Sequence, residues 1–199
     1  MNEREAFFVQ NQRKGSFPFH DGSGWRALTP STSGLPLLTK GNYTNPAWGA
    51  LATSALTFSG ARAHLSGNQS VNNNANTLLL FDAEDYDTDT YHDNTTNKSR
   101  FTAPTTAYYL VIGSVRWDTS ALGYRAIHIL VDGATLWAES ILSPAVDAAN
   151  PDTAMTVSAV IPLTSTHYAE IRVYQNSGGA LNANASNASS WGSIMRMGV

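Results

Sequence analysis

The chain has 199 residues, enough for one full core plus an appendage and too few for two ordinary domains. Charged residues make up only 14%, and 12 basic against 15 acidic side chains leave a formal charge of −3, which excludes the basic footprint of a nucleic-acid binder and a polybasic membrane patch. Cysteine is absent, so a disulfide scaffold and thiolate metal sites are excluded as well, and obligate oligomerisation is the expected source of stability.

The opening residues, MNEREAFFVQNQRKG, carry acidic side chains and no long apolar core, unlike a secretory signal. No apolar run approaches the ~18 residues of a membrane-spanning helix, so no membrane insertion is expected. Up to about residue 60, Gly, Pro, Ser, Thr and Asn break the sequence into short apolar clusters: FFV (7–9), FPF (17–19), GSGWRAL (22–28) and GLPLLTKGNYTNPAWGAL (34–51). The last fits neither a helix nor a strand of useful length, because Pro36, Pro46, Gly41-Asn42 and Gly49 interrupt it. Yet it holds Leu35, Leu37, Leu38, Tyr43, Trp48 and Leu51, costly apolar surface to leave in water.

Beyond residue 60, strand-like runs alternate with turn signals. AYYLVIGSVRWD (107–118) is rich in aromatic and β-branched residues, and both of its alternating sets begin apolar, Tyr109 and Val111 on one and Leu110 and Ile112 on the other. It therefore reads as a strand covered on both faces. In YRAIHILVDGATLWAESIL (124–142), Asp132-Gly133 separates two apolar strands as a tight hairpin turn. TAMTVSAVIPL (153–163), YAEIRVYQN (168–176) and SWGSIMRMGV (190–199) follow with period-two character. No window keeps helical periodicity over three turns, so the expected class is all-β, an antiparallel sandwich or barrel.

These blocks carry a resemblance. The segment FDAEDYDTDTYHDNTTNKSRFTAP (81–104), then AYYLVIGSVRW, HILVDGATL, YAEIRVYQNSGGALN and the closing strand resemble, in order and spacing, the globular head of complement component one-q, particularly its bacteriophage versions. The resemblance runs from ARAHLSGNQS (61–70) to IMRMGV (194–199). It implies a ten-stranded jelly roll like that of tumour necrosis factor, with three copies packed around a threefold axis. GLPLLTKGNYTNPAW is similar to a short module of phage fibre and baseplate proteins, which there precedes a C-terminal head. The implied organisation is an extended N-terminal anchoring arm over 1–60, with little regular structure, and a jelly-roll head over 61–199. Phe7, Phe8, Phe17, Phe19 and Trp25 are the candidate anchors of the arm. Leu37, Leu38, Trp48, Tyr109 and Val111 are the candidates for packing between subunits.

Candidate chemistry is sparse. Asp85-x-Asp87-x-Asp89 imitates the first half of a calcium loop, but Thr90 stands where the sharp-turn glycine belongs and Thr96 where the bidentate glutamate belongs. These three are calcium candidates only, and otherwise residues of a hydrogen-bonded, solvated loop. The five histidines show no metal-ligand spacing; His92 lies near the aspartates, and His128 alternates with hydrophobic residues as a packed strand residue would. No nucleophile elbow, phosphate loop or dinucleotide fingerprint occurs, so neither catalysis nor a cofactor is expected. Trp117 and Trp137 sit in strand patterns and read as core or interface. Trp25 and Trp191, beside glycines and serines, are exposed enough in pattern to stack on a sugar, and Trp191, Tyr91 and His92 are candidate glycan contacts.

The resulting expectation is a structural virion protein of a tailed bacteriophage, a short homotrimeric knob at the virion surface. It would serve as a capsid decoration, head fibre or tail fibre, with other virion proteins as partners. The alternatives are an adhesin engaging a host surface glycan or receptor and, with least support, a trimeric polysaccharide-degrading enzyme.

Overall fold

The structure is a computed structural model, and it describes residues 16–29, 35–38, 45–49, 58–143 and 153–197. The chain falls into two compact units, Met1–Thr57 and Phe58–Val199. Every described element is a strand or a turn, and every strand pairing is antiparallel.

The described part of the first unit holds only two small strand pairs. β1 (Phe17–His20) pairs with β2 (Trp25–Leu28). Their turn is closed by Asp21, whose carboxylate accepts the N–H groups of Ser23 and Gly24 and bonds Arg26 at 2.7 Å. The FPF cluster is therefore a strand, with Phe17 half exposed. β3 (Leu37–Leu38) pairs with β4 (Ala47–Trp48), so the proline-broken stretch partly packs on itself across the gap between its two prolines. Leu37 faces Trp48, whose indole N–H donates to the Thr29 carbonyl at 2.7 Å. Phe7 and Phe8 lie outside the described residues.

In the second unit the strands are β5 (Gly60–His64), β6 (Gln69–Val71), β7 (Thr77–Leu78), β8 (Ala83–Asp87), β9 (Arg100–Thr102), β10 (Ala107–Trp117), β11 (Arg125–Val131), β12 (Thr135–Leu142), β13 (Thr153–Leu163), β14 (Tyr168–Gln175), β15 (Leu181–Ala183) and β16 (Trp191–Arg196). They form two sheets. The larger runs β6-β15-β10-β16-β5-β8, with β13 on the other side of β10; the smaller runs β12-β11-β14-β7, with β9 also on β14. The Asp-Gly hairpin forms as its residues require. Asp132 and Gly133 take φ of 52° and 71°, and the Ala134 N–H closes the turn on the Val131 carbonyl.

The sandwich core follows from strand parity. From β10 the inward set is Tyr109, Val111, Val115 and Trp117, each fully buried, against Ile127, Ile129, Ile171 and Val173 of the smaller sheet. Tyr109 and Val111 thus belong to the chain's own interior rather than to a surface another subunit could reach. Midway along the strand, Gly113 lies directly across from Gly192 of β16. A Cβ on Gly113 would sit 2.7 Å from Ile171 Cδ1, and one on Gly192 would sit 2.7 Å from Phe101 and 2.8 Å from Phe81. This glycine pair makes the space that those side chains fill. Arg125 closes one end of the sandwich: fully buried, it donates to the carbonyls of Leu122, Tyr124 and Ser120 and lies over Trp117.

Gly192→Ala is expected to destabilise the fold by roughly 1–3 kcal/mol, because Phe81 and Phe101 are packed core rings that cannot swing away. Gly67→Ala, with open space at its Cβ position, is the control. Urea melts at one chain concentration check this: a large drop in midpoint for the first and almost none for the second.

Candidate functional site

The acidic run forms β8 and the loop to β9, and its carboxylates are used separately. Asp85 pairs with Arg62 and lies 3.3 Å from His64 Nδ1. Asp87 accepts the backbone N–H groups of Asp89, Tyr91 and His92 at 2.9–3.2 Å. Asp89 accepts the hydroxyls of Ser59 at 2.6 Å and Thr88 at 3.1 Å, which hold it below the usual carboxylate range. Asp93 caps its own turn through Thr95 and Thr96, and the Thr95 hydroxyl leads in bringing its pKa down to about 2. Among the described residues no group of His, Asp or Glu converges as a metal site. Asp85, Asp87 and Asp89 each bond separate partners that shape this strand and loop.

The three glycan candidates are placed less openly than their sequence context suggests. Tyr91 and His92 are buried, 1% and 7% exposed. The His92 ring packs on Phe101, with Nδ1 3.0 Å from Glu84 and Nε2 3.1 Å from the Lys98 carbonyl. They line a polar cleft of about 440 Å³ whose other lining residues include Glu84, Asn94, Asn97 and Arg100. Trp191 lies on β16 with the Arg62 guanidinium 4.6 Å from its ring centre, so one face is already taken. Arg62 also donates to the Asn187 carbonyl, which fixes this cap. Trp25, in the other unit, packs its ring edge-on against His20.

A surface that composition does not reveal is the outward face of the larger sheet. Directly opposed residues share a face. One cross-strand row reads Val160, Leu110, Met195; the next reads Ser158, Ile112, Ser193, Arg62; beyond the first lie Pro162 and Tyr108. Tyr108 is 61% exposed, Met197 53% and Val160 50%. Phe58 and Tyr86, packed edge-to-face at 5.5 Å, add two half-exposed rings at the β5–β8 border. The sheet face is apolar toward this end and becomes polar through Ser114 and Thr156 toward the other. Alternation along 107–117 carries the signal: the set containing Leu110 and Ile112 has to face somewhere, and the core has no room for it.

No protein-family model matches the chain, and no curated protein matches it. Among solved structures, the Eiger TNF of S. frugiperda aligns at TM-score 0.51 with 15% identity, covering 71% of this chain and 93% of that one. Murine APRIL aligns at 0.50 with 10% identity over 69% and 99%. The globular domain of zebrafish complement 1qA also aligns, at 0.47 with 7% identity over 70% and 98%. The chain shares the tumour-necrosis-factor-like jelly-roll fold.

Since the Asp87 carboxylate serves three backbone donors, Asp87→Ala should cost about 1–3 kcal/mol by leaving them unpaired. Thermal melts with excess calcium and with a chelator should superimpose for the native chain. A calcium-dependent rise in Tm that Asp87→Ala abolishes would instead make the loop an ion site.

Proposed function

We propose that the jelly roll is a self-associating head, three copies around a threefold axis, and that the chain is a structural protein at the surface of a tailed-bacteriophage virion. The observation that carries the first part is the apolar outward face around Tyr108, Leu110, Val160 and Met195. A monomer that left this face in water would forgo roughly 25 cal/mol for every Å² of it. Rings of three use two different patches on each copy. A second one exists at the β12 edge of the smaller sheet, where β12 pairs only with β11 among the described residues. There Ile129 faces Ala138 and Leu130 faces Leu136, so Trp137 is the extra residue of a bulge and stands 44% exposed. The flank of one copy set on the face of the next closes such a ring.

The virion assignment is supported by the likeness of residues 61–199 to phage one-q heads and of 34–48 to a phage fibre module. The arm, with Leu37, Leu38 and Trp48 half-buried in their own small pair, would contribute to subunit packing. Its first residues would attach the head to other virion proteins. A receptor-binding role is the second reading, favoured by open clefts on the head.

Light scattering at micromolar concentration should give three times the 21.4 kDa chain mass, with each pairwise interface burying about 1,000 Å² or more. Val160→Asp should yield folded monomer. Deleting residues 1–30 should leave the trimer and abolish incorporation into particles lacking the native protein. A native 21.4 kDa monomer would refute the assembly, and full incorporation of the deletion would refute anchoring by the arm.

A further inference from the structure

A second cleft crosses the outer face of the smaller sheet, with a volume of about 300 Å³ and a lining of Ala126, His128, Leu136, Glu139, Ile141, Arg172, Tyr124, Tyr174 and Asn76. Its depth comes from the small Ala126 side chain and the near-buried His128 ring, both on β11. On one side β12 raises Leu136 and Ile141, 47% and 58% exposed, costly apolar side chains for a lone surface. On the other, Tyr124 and Tyr174 stand stacked, centres 5.2 Å apart, and the Tyr174 hydroxyl is tied to Asn74 at 3.0 Å.

Between these walls lies a polar triad. Arg172 Nε donates to His128 Nδ1 at 3.5 Å, and His128 Nε2 points at Glu139 Oε2, 3.6 Å away. Accepting from Arg172 requires His128 Nδ1 to be unprotonated, so its proton sits on Nε2, facing Glu139. Burial first, and then the Arg172 charge, lower the His128 pKa and keep the ring neutral. His128 thus holds a donor fork and an acceptor carboxylate apart across one cleft, each with bonding capacity left over among the described residues.

We propose that this cleft binds a neutral pyranose sugar, with its apolar C–H face against the aliphatic or tyrosine wall and adjacent hydroxyls shared between Arg172 and Glu139. Three features select that class. The volume is at the small end of the range for small-molecule sites, roughly 300–1,000 Å³. A hydroxyl pair both donates and accepts, matching a guanidinium and a carboxylate together, whereas an anion would meet the Glu139 charge and a lipid chain would strand the whole triad in apolar surroundings. Stacked tyrosines provide rigid amphipathic surface at low entropic cost. The inference names a ligand class for the receptor-binding reading; because the cleft shares Leu136 with the β12 edge used in the proposed ring, binding is read on the native chain and on Val160→Asp alike.

The test is saturation-transfer NMR on the full chain with the methyl pyranosides of glucose, galactose, mannose, N-acetylglucosamine, N-acetylgalactosamine, rhamnose and fucose, beside N-acetylneuraminate and methyl glucuronide. At least one neutral glycoside should bind. Its affinity should fall about tenfold or more in Glu139→Ala and in Arg172→Ala, as the loss of a hydrogen bond or two predicts. Asn97→Ala, in the cleft of the other sheet border, should bind as the native chain does. Glu139 is a half-exposed edge-strand residue, so an unchanged Tm in Glu139→Ala keeps its result a statement about binding. The proposal is overturned if no neutral glycoside binds, if the acidic sugars bind more tightly, or if binding survives Glu139→Ala and is lost in Asn97→Ala.

Discussion

Strand β10 is paired along both edges, to β13 over its whole length and to β16 over six residues, and that double pairing constrains everything else in the head. A strand held on both sides cannot rotate or slip, so each side chain from Tyr108 to Trp117 is assigned to one face by parity. The inward set meets the smaller sheet, and the Gly113–Gly192 pair lets Phe81, Phe101 and Ile171 come close enough to fill the middle. The outward set cannot escape to the core. Leu110, aligned with Val160 and Met195 on the neighbouring strands, and Ile112 beside it therefore form an apolar surface as a direct consequence of the core's own register. A sequence can relieve such a surface with charge, as edge and surface strands commonly do; here the rows through Tyr108 and Leu110 stay apolar, and serines and Arg62 enter only from the Ile112 row onward.

The head spends its few charges locally. Asp87 organises three backbone N–H groups, Arg62 caps Trp191 while bonded to Asp85, and Glu170, nearly buried, accepts from Ser99 and pairs with Arg100, which stacks on Tyr168. These contacts tie down loops and strand ends of both sheets, each charge with its own separate partners. The triad of Arg172, His128 and Glu139 differs, since its outer members face open space rather than backbone. Buried Arg125 shows a different solution: three carbonyl oxygens accept from Nη1 and Nη2, while Nε has no partner among the described residues. Desolvation lowers its pKa accordingly.

The long regular strands are legible in the amino-acid sequence alone. The runs 107–118 and 153–163 match β10 and β13 to within a residue, because their apolar alternation outlasts local noise, and Asp132-Gly133 marks its hairpin through the positive φ that both residues adopt. β6, β7, β9 and β15 carry no such signal. They are two or three residues long and exist only through partners far away in sequence, as Leu78 opposite Arg172 shows. Periodicity also finds both alternating sets of β10 apolar but cannot say which faces inward. It leaves Tyr109 and Val111 as interface candidates, and the core takes them. Trp191 and His92 read as accessible beside polar residues. Arg62, 129 positions from Trp191, and Phe101, folded back over His92, close them off, and no local window contains those partners.

The central claim is that the outward face of the larger sheet is covered by copies of the same chain. Cysteine's absence from the sequence makes a direct measurement available: one introduced thiol and its rate of maleimide labelling. Val160 is 50% exposed in the single chain, and Leu122, on a loop, is 66% exposed. In native protein at micromolar concentration, Val160→Cys should label far more slowly than Leu122→Cys, and dilution toward dissociation should bring the two rates together. Equal, fast labelling at both positions in concentrated protein would mean that the face is open to water and would contradict the account.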